Sequence, residues 1–120
     1  MKTITAVFKP FKLDEVKAAL QELRNGAFVV AEVKGMGNRG GVATELYRGA
    51  EYVVQWLPKV LITITVKDNE VDKAVAAIQK AARTGRIGDG RITVTPIEQF
   101  IHIRSGLDEV QAETQERVNA

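Results

Sequence analysis

The sequence predicts an α+β fold in which a four-stranded antiparallel sheet carries two helices on one of its faces. Two observations support this prediction. A strand–helix–strand pattern occurs once in residues 2–34 and again in residues 60–95. The letters also repeat, because TITAV followed by LDEVKAAL in the first unit corresponds to TITV followed by NEVDKAVAAI in the second. Two copies of one βαβ element in a short chain are typical of the ferredoxin-like fold.

The first unit begins with residues 2–8, where polar and apolar side chains alternate as in a half-buried strand. Residues 13–24 carry an apolar stripe at helical spacing, and Asn25-Gly26 supplies the end of that helix. The stripe consists of Val16, Ala19, Leu20 and Leu23. Residues 27–34 are rich in β-branched side chains and predict the second strand.

The second unit begins with residues 60–67, VLITITVK, the clearest strand pattern in the chain. Asn69 is placed to cap the following helix, with Asp72 three residues later. The buried stripe of that helix is predicted to be Val71, Ala74, Val75, Ile78 and Ala82. Residues 91–95 predict a short strand that ends at Pro96, and residues 99–104 predict a further short extended segment.

One face of the predicted sheet has no helix to cover it. Strand 60–67 presents Leu61, Thr63 and Thr65 on that face, a mixture that is neither fully polar nor fully apolar. Burial against copies of the same chain is therefore expected, which predicts a homo-oligomer. A monomer with a threonine-rich, solvated face is the alternative that periodicity leaves open.

The length and composition of the chain limit its class. Its 120 residues suit one domain, assigned to residues 1–104, followed by a polar tail at 105–120 that forms a short helix or a frayed end. The net charge of +2 gives no sign of a nucleic-acid surface. Because the chain has no cysteine, no signal-peptide pattern and no apolar run near the ~20 residues of a membrane span, we expect a cytoplasmic protein.

Residues 35–58, GMGNRGGVATELYRGAEYVVQWLP, fit neither a helix stripe nor a single strand. Connections in compact domains usually have ~4 to 6 residues, and longer ones tend to be functional. The segment contains leucine, valine, tyrosine and tryptophan, which can be buried against another molecule. We therefore expect a partner-binding loop, with a β-hairpin arm that packs only on its own oligomer as the alternative.

Two glycine-rich stretches are candidates for anion binding. Gly35, Gly37 and Gly40 match G-x-G-x-x-G after a strand, but no helix pattern follows, so the dinucleotide-fold interpretation is rejected. Bare backbone N–H groups beside Arg39 can still approach an anion, although a plain turn explains these glycines equally well.

Residues 84–91, TGRIGDGR, give the more specific signal. Gly85 is explained by helix termination alone. Gly88, Gly90 and Arg91 supply more bare backbone and guanidinium than a helix–strand connection needs, and an arginine fork matches phosphate oxygens. The order of a Walker A loop is absent, so the segment predicts a phosphate site of another kind.

Catalytic groups are scarce in the sequence. His102 is the single histidine, there is no cysteine, and no spacing of His and carboxylate residues suggests a metal site or a nucleophile–base pair. We therefore expect a binding protein and not an enzyme.

Five stretches together resemble the PII nitrogen-regulatory signal-transduction family. They are KPFKLDEVKAAL (9–20), EVKGMG (32–37), TELYRGAEYVV (44–54), LPKV (57–60) and KAARTGRIGDGR (80–91). The resemblance implies a tight homotrimer of ferredoxin-like subunits with ATP or ADP in each cleft between subunits. Residues 36–57 would be the family's long protruding T-loop, which reaches into target proteins such as ammonium channels and regulatory enzymes.

The resemblance also implies roles for individual residues. The nucleotide-binding positions would be Val7, Val29, Gly35, Met36, Gly37, Asn38, Arg39, Thr65, Gly88, Asp89, Gly90, Arg91, His102 and Arg104. Residues 88–91 would hold phosphates, with Arg91 in place of the usual lysine, and Arg104 would reach in from the neighbouring subunit. Lys59 would pair with a carboxylate of the effector 2-oxoglutarate, and Tyr52 would be the position that is uridylylated in some bacteria.

Several positions depart from the family pattern. The glutamine that helps bind magnesium together with 2-oxoglutarate is missing, because Asn38, Arg39, Gly40 and Gly41 occupy a loop one residue longer. Neither arginine nor glycine offers a side-chain oxygen to a hard cation, which argues against magnesium and 2-oxoglutarate. At three other positions this chain has a different residue. Val29 replaces the family's usual threonine, Thr63 replaces a glutamate, and His102 replaces the first of two paired arginines. Imidazole grips a terminal phosphate less firmly than guanidinium, so we expect a weaker preference for ATP, with AMP a further candidate ligand.

The resulting functional prediction is a regulator that controls transporters or metabolic enzymes, in nitrogen metabolism, through its T-loop. One alternative is a regulator of a non-nitrogen transporter without 2-oxoglutarate sensing, which the altered T-loop permits. A second alternative is a ferredoxin-like RNA-binding module. The strands ITVTP and LITITV lack the aromatic side chains that such a module uses, so no nucleic-acid partner is expected.

Overall fold

The computed structural model describes residues 1–23, 28–36, 43–47, 50–54 and 56–119. In chain order its strands and α-helices are β1 (Lys2–Phe8), α1 (Leu13–Leu23), β2 (Val29–Met36), β3 (Ala43–Tyr47), β4 (Ala50–Val54), β5 (Trp56–Val66), α2 (Val71–Ala82), β6 (Gly90–Pro96) and α3 (Glu109–Asn119). Single 3₁₀ turns, Pro10–Lys12 and Asp68–Glu70, precede α1 and α2.

Four strands form one sheet in the order β2-β5-β1-β6, and each neighbouring pair is antiparallel. The first strand of each βαβ unit lies in the centre and the second lies at an edge, which is the ferredoxin-like topology that the sequence predicts. The remaining strands, β3 and β4, pair with each other in a separate ribbon that belongs to the predicted T-loop, residues 36–57. The backbone of this segment therefore contains a β-hairpin.

The core lies between the sheet and the two helices α1 and α2. Alternate residues of β1 and β5 point into it, and all of its buried side chains in the described ranges are apolar. They are Ile4, Ala6, Phe8, Val16, Leu20, Val60, Ile62, Ile64, Val66, Ala74, Ile78 and Ala82. The predicted stripe of α1 is wrong at one position, since Leu23 is 44% exposed at the end of the helix. Its neighbours Val16 and Leu20 reach the centre of the core as predicted.

Two further local predictions are corrected by the structure. Asn69 does not cap α2, because it lies inside the 3₁₀ turn Asp68–Glu70, where the Glu70 carboxylate instead accepts the Lys67 N–H at 2.9 Å. Residues 99–104 are not a strand: Ile101 forms an isolated bridge with Asp108, and the chain between them turns. That turn is closed by hydrogen bonds from Gly106 N to His102 O (2.8 Å) and from His102 N to Leu107 O (2.9 Å). Of the two forms considered for the tail, the helix is present, as α3.

Candidate functional site

One group of predicted site residues lies at the end of the sheet where β6 begins. The strand register pairs Val7 of β1 with Arg91 of β6 and with Leu61 of β5, while Lys59 of β5 pairs with Val33 of β2. Residues 84–90, which connect α2 to β6, lie over this end. The sheet therefore brings Val7, Lys59 and the 84–91 segment together.

Asp89 organises the 84–91 segment from within. Its carboxylate accepts the backbone N–H groups of Thr84 and Gly85 at 2.9 and 2.8 Å and also bonds to the Thr84 hydroxyl. The Lys9 ammonium lies 3.2 Å from the same carboxylate. The Thr84 hydroxyl first, and then the backbone N–H groups and Lys9, hold the pKa of Asp89 well below its usual range. Asp89 is thus an anchored anion that shapes the loop.

Glycine is required at the start of β6. Gly90 has a φ of +110°, and a Cβ at this position would lie 1.8 Å from the Val7 carbonyl oxygen. Gly88 also has a positive φ, +93°, which disfavours any other residue there, and a Cβ would make only ordinary contacts of 3.7 Å with the Lys9 and Lys59 side chains. Glycine is therefore favoured at Gly88 by backbone conformation and required at Gly90 by both conformation and the close approach of β1.

Cationic groups surround this loop. The Lys59 ammonium donates to the Gly88 carbonyl oxygen at 2.6 Å, and the Lys9 ammonium donates to the Thr84 hydroxyl at 3.3 Å. Burial lowers the pKa of Lys59, the nearby Lys9 lowers it further, and Asp89 opposes the change. Arg91 lies exposed beside a cavity of about 430 Å³ between α2 and the β1–β6 pair, which Arg83 also lines. A loop of this kind attracts anions.

A second group of predicted residues lies at the opposite end of the sheet. Val29, Thr65 and His102 line one cavity of about 470 Å³, together with Thr63 and Glu109. Thr65 pairs with Thr3, whereas Leu61 pairs with Val7. Four residues of strand, about 13 Å, therefore separate this end from the loop end.

His102 has a partner that the sequence did not suggest. Its Nε2 lies 2.5 Å from Glu109 Oε1, at the first turn of α3. The Glu109 N–H also donates to the Phe100 carbonyl oxygen at 2.9 Å, so α3 begins directly against the segment that carries His102. Arg104 follows in the exposed turn.

Other predicted positions are only partly described. Gly37, Asn38 and Arg39 lie outside the described residues. Met36 and Tyr52 are described for their backbone, in β2 and β4. Gly35 packs against Lys59, since a Cβ on Gly35 would lie 3.3 Å from Lys59 Cγ.

The sequence analysis missed three residues of the two sites. Lys9 and Thr84 frame the phosphate-loop candidate, and Glu109 lines the second cavity. Lys9 and Thr84 both lie within the motifs that carried the resemblance, but their contacts depend on side-chain geometry. Glu109 lies in the polar tail, where no periodic pattern marks it.

Across 1–23, 28–36, 43–47, 50–54 and 56–119, no three His, Asp or Glu side chains converge as a metal-binding group. None of the helices in these ranges combines the length and the hydropathy that a bilayer span requires.

Comparison with known proteins identifies the family. The family model described as Nitrogen regulatory protein P-II matches residues 1–107. The Nitrogen regulatory protein P-II of Azospirillum brasilense is 58% identical over 106 residues, which cover 88% of this chain and 94% of that protein. The proteins of the same name from Rhodobacter capsulatus and Pasteurella multocida are 58% and 50% identical over the same shares. The chain belongs to the nitrogen regulatory protein P-II family.

Proposed function

We propose that this chain is a non-enzymatic regulator that binds ATP or ADP between the subunits of a homotrimer and controls target proteins through residues 36–57. The observation that carries the proposal is the 84–91 loop. The Asp89 carboxylate accepts hydrogen bonds from Thr84 and Gly85 inside the loop. Lys9, Lys59 and Arg91 lie around the glycine backbone of the loop. Phosphate is the anion that such a combination of N–H groups and cations suits.

Two chains are needed to complete the proposed site. Within one chain, the loop and the cavity of Val29, Thr65 and His102 lie at opposite ends of the sheet, about 13 Å apart along the strands. In a closed ring of copies, the loop of one subunit meets the other end of its neighbour. Gly88, Gly90 and Arg91 then hold phosphates and Asp89 shapes the loop, while His102 and Arg104 approach from the adjacent subunit.

The exposed edges and face of the sheet support this assembly. Val29 is 66% exposed at the edge strand β2, although it is large and apolar. On the uncovered face, Leu61 and the threonines of β5 are only half-buried, and Phe100, His102 and Glu109 line one cavity together with Thr63 and Thr65. A threefold assembly that covers this face removes the exposed apolar area.

Lys59 links the proposed nucleotide site to the T-loop. It contacts Gly35, one residue before the end of β2, and its ammonium binds the Gly88 carbonyl oxygen in the loop. The 36–57 segment leaves the sheet at Met36 and returns at Trp56, which pair with each other. Ligands that alter the 84–91 loop therefore act on the base of this segment, and ATP and ADP would favour different arrangements of it.

We also propose that this chain does not sense 2-oxoglutarate. The Lys59 ammonium, which would receive the effector's carboxylate, is already bound to the Gly88 carbonyl oxygen. The glutamine that would hold magnesium is absent as well. A target outside nitrogen metabolism, such as another transporter, is the second candidate, and the same two observations favour it.

Calorimetric titration of the purified chain with ATP, ADP and AMP, combined with its mass in solution, tests the proposal. We expect a trimer that binds one nucleotide per subunit. A monomer, or a trimer that shows no heat with any of the three nucleotides, would contradict the proposal.

Two further experiments address the target and the effector. Capture of partner proteins with and without each nucleotide identifies the class of target. Addition of 2-oxoglutarate with magnesium should leave the affinity for ATP unchanged.

A further inference from the structure

The C-terminal helix α3 adds a carboxylate to the wall of the second cavity. Glu109 is the first residue of α3 and lies beyond residue 107, where the match to the family ends. It lines the same cavity of about 470 Å³ as Val29, Thr63 and Thr65. Its position is fixed twice, by the hydrogen bond from its N–H to Phe100 and by the contact of its carboxylate with His102.

This carboxylate changes what His102 can offer to a ligand. Glu109 Oε1 lies 2.5 Å from His102 Nε2, so this nitrogen is engaged by the carboxylate and is not available to a ligand. The carboxylate also balances the positive charge of a protonated imidazole. The other charged groups of the lining residues are Lys67, Glu70 and the Met1 amino group, which is itself paired with Asp68 and Glu113. The wall therefore lacks the excess of positive charge that surrounds the 84–91 loop.

We infer that Glu109 determines which adenine nucleotide the protein prefers, by opposing the binding of those with more phosphates. The inference rests on the proposed function, in which the wall with His102 faces a nucleotide held by the neighbouring subunit's loop. Each added phosphate brings further negative charge toward Glu109, so the repulsion increases from AMP to ADP to ATP. Glu109 thereby shifts selectivity away from ATP.

The test compares Glu109→Gln with the wild-type chain by calorimetric titration with ATP, ADP and AMP. Glutamine keeps the size of the side chain and removes its charge. We expect the Kd for ATP to fall by about 3- to 10-fold, the Kd for ADP to fall less, and the Kd for AMP to stay within about twofold.

Glu113→Gln is the matched control. Glu113 lies one turn further along α3 and pairs with the Met1 amino group at 3.3 Å, so its loss also weakens the docking of the helix. We expect it to leave the ratio of ATP to AMP affinity unchanged. An equal gain for all three nucleotides, no gain for ATP, or the same gain in Glu113→Gln would overturn the inference while the proposed function stands. A wild-type chain that binds none of the three overturns both.

Discussion

At the scale of single residues, the 84–91 segment shows how a short polar sequence becomes a defined loop. Asp89 is the residue on which the segment depends, because its carboxylate accepts two backbone N–H groups and the Thr84 hydroxyl. A carboxylate held in this way repels phosphate, so its contribution to a phosphate site is the arrangement of the backbone around it. The cations proposed to attract a phosphate are Lys9 and Lys59, from the neighbouring turn and strand, and Arg91 at the end of the segment.

Asp89→Asn tests this role through the pH dependence of stability. Because the pKa of Asp89 is lowered in the folded chain, its ionised form stabilises the fold at neutral pH. That stabilisation is present above about pH 4, the ordinary range of an unfolded aspartate, and is lost as the pH falls toward the lowered folded-state pKa. We expect the variant to unfold at lower denaturant concentration at pH 7, with a smaller difference from wild type at pH 3.

The control for this experiment is Glu22→Gln, on the exposed surface of α1. It should unfold like the wild-type chain at both pH values. A constant difference between Asp89→Asn and wild type from pH 7 to pH 3 would show that the charge of Asp89 is not what stabilises the loop.

Gly90→Ala tests the close approach between β6 and β1. The added methyl group would meet the Val7 carbonyl oxygen, which belongs to a paired central strand and cannot move without disturbing the sheet. Strain at the positive φ and this overlap together should cost about 2–6 kcal/mol in the free energy of unfolding. Chemical denaturation measures the change.

Gly85→Ala isolates the contribution of backbone conformation alone. Gly85 also has a positive φ, +85°, but no atom lies within 4 Å of its missing Cβ. We expect a cost of about 1–2 kcal/mol. If the two variants were equally destabilised, the contact between Gly90 and Val7 would not limit the sequence at this position.

At the scale of secondary structure, hydrophobic periodicity was sufficient to predict the elements of the ferredoxin-like fold. Strand β5 shows the reason, since Ile62 and Ile64 are buried on one face while Thr63 on the other is not. The local caps and turns were harder to predict. Asn69 has the right residue type for a cap, but a 3₁₀ turn precedes α2 and Glu70 takes the capping contact.

The candidate site was predictable only as far as residue type reveals chemistry. The glycines and arginines of residues 84–91 predicted an anion-binding loop. The contact between Thr84 and Asp89 that stabilises this loop depends on a backbone turn, which hydrophobic periodicity does not indicate. The pairing of His102 with Glu109 bridges a turn between an isolated bridge and a helix start. Neither element has a repeating apolar pattern, so their side-chain contacts could not be deduced from spacing.

The connection from the loop through Lys59 to β2 yields a prediction at this scale. Lys59→Met keeps the stem that contacts Gly35 but removes the ammonium that binds the Gly88 carbonyl oxygen. We expect the T-loop to lose most of its ability to distinguish ATP from ADP. Trypsin cleavage after Arg39 and Arg48 should therefore proceed at the same rate with either nucleotide, whereas we expect the two rates to differ in the wild-type chain.

Lys12→Met serves as the control, because Lys12 pairs with Glu15 at the start of α1 and is remote in sequence from the loop. It should retain the wild-type difference between the two nucleotides. A Lys59→Met protein that keeps this difference would show that coupling between the loop and the T-loop takes another route.

At the scale of the whole molecule, the sheet has one face covered by helices and one face left open. A single chain can hold its core with this arrangement, since the helices α1 and α2 suffice to bury one side of the sheet. In the proposed trimer, other copies of the chain would cover the open face. The same contact would bring the two separated halves of the nucleotide site together, so assembly and ligand binding should depend on the same residues.

Leu61→Asp tests that dependence. Leu61 lies on the open face, in the row of paired residues that includes Val7 and Ala31, and a charge there would be buried without a partner in the assembled protein. We expect the variant to sediment as a monomer and to lose nucleotide binding by at least about 100-fold, because half of each site is then missing. Leu23→Asp, on α1 at the opposite side of the sheet, should remain trimeric and bind normally. A monomeric Leu61→Asp protein that binds ATP with wild-type affinity would show that one chain holds the whole site, and a trimeric one would place the subunit contact elsewhere.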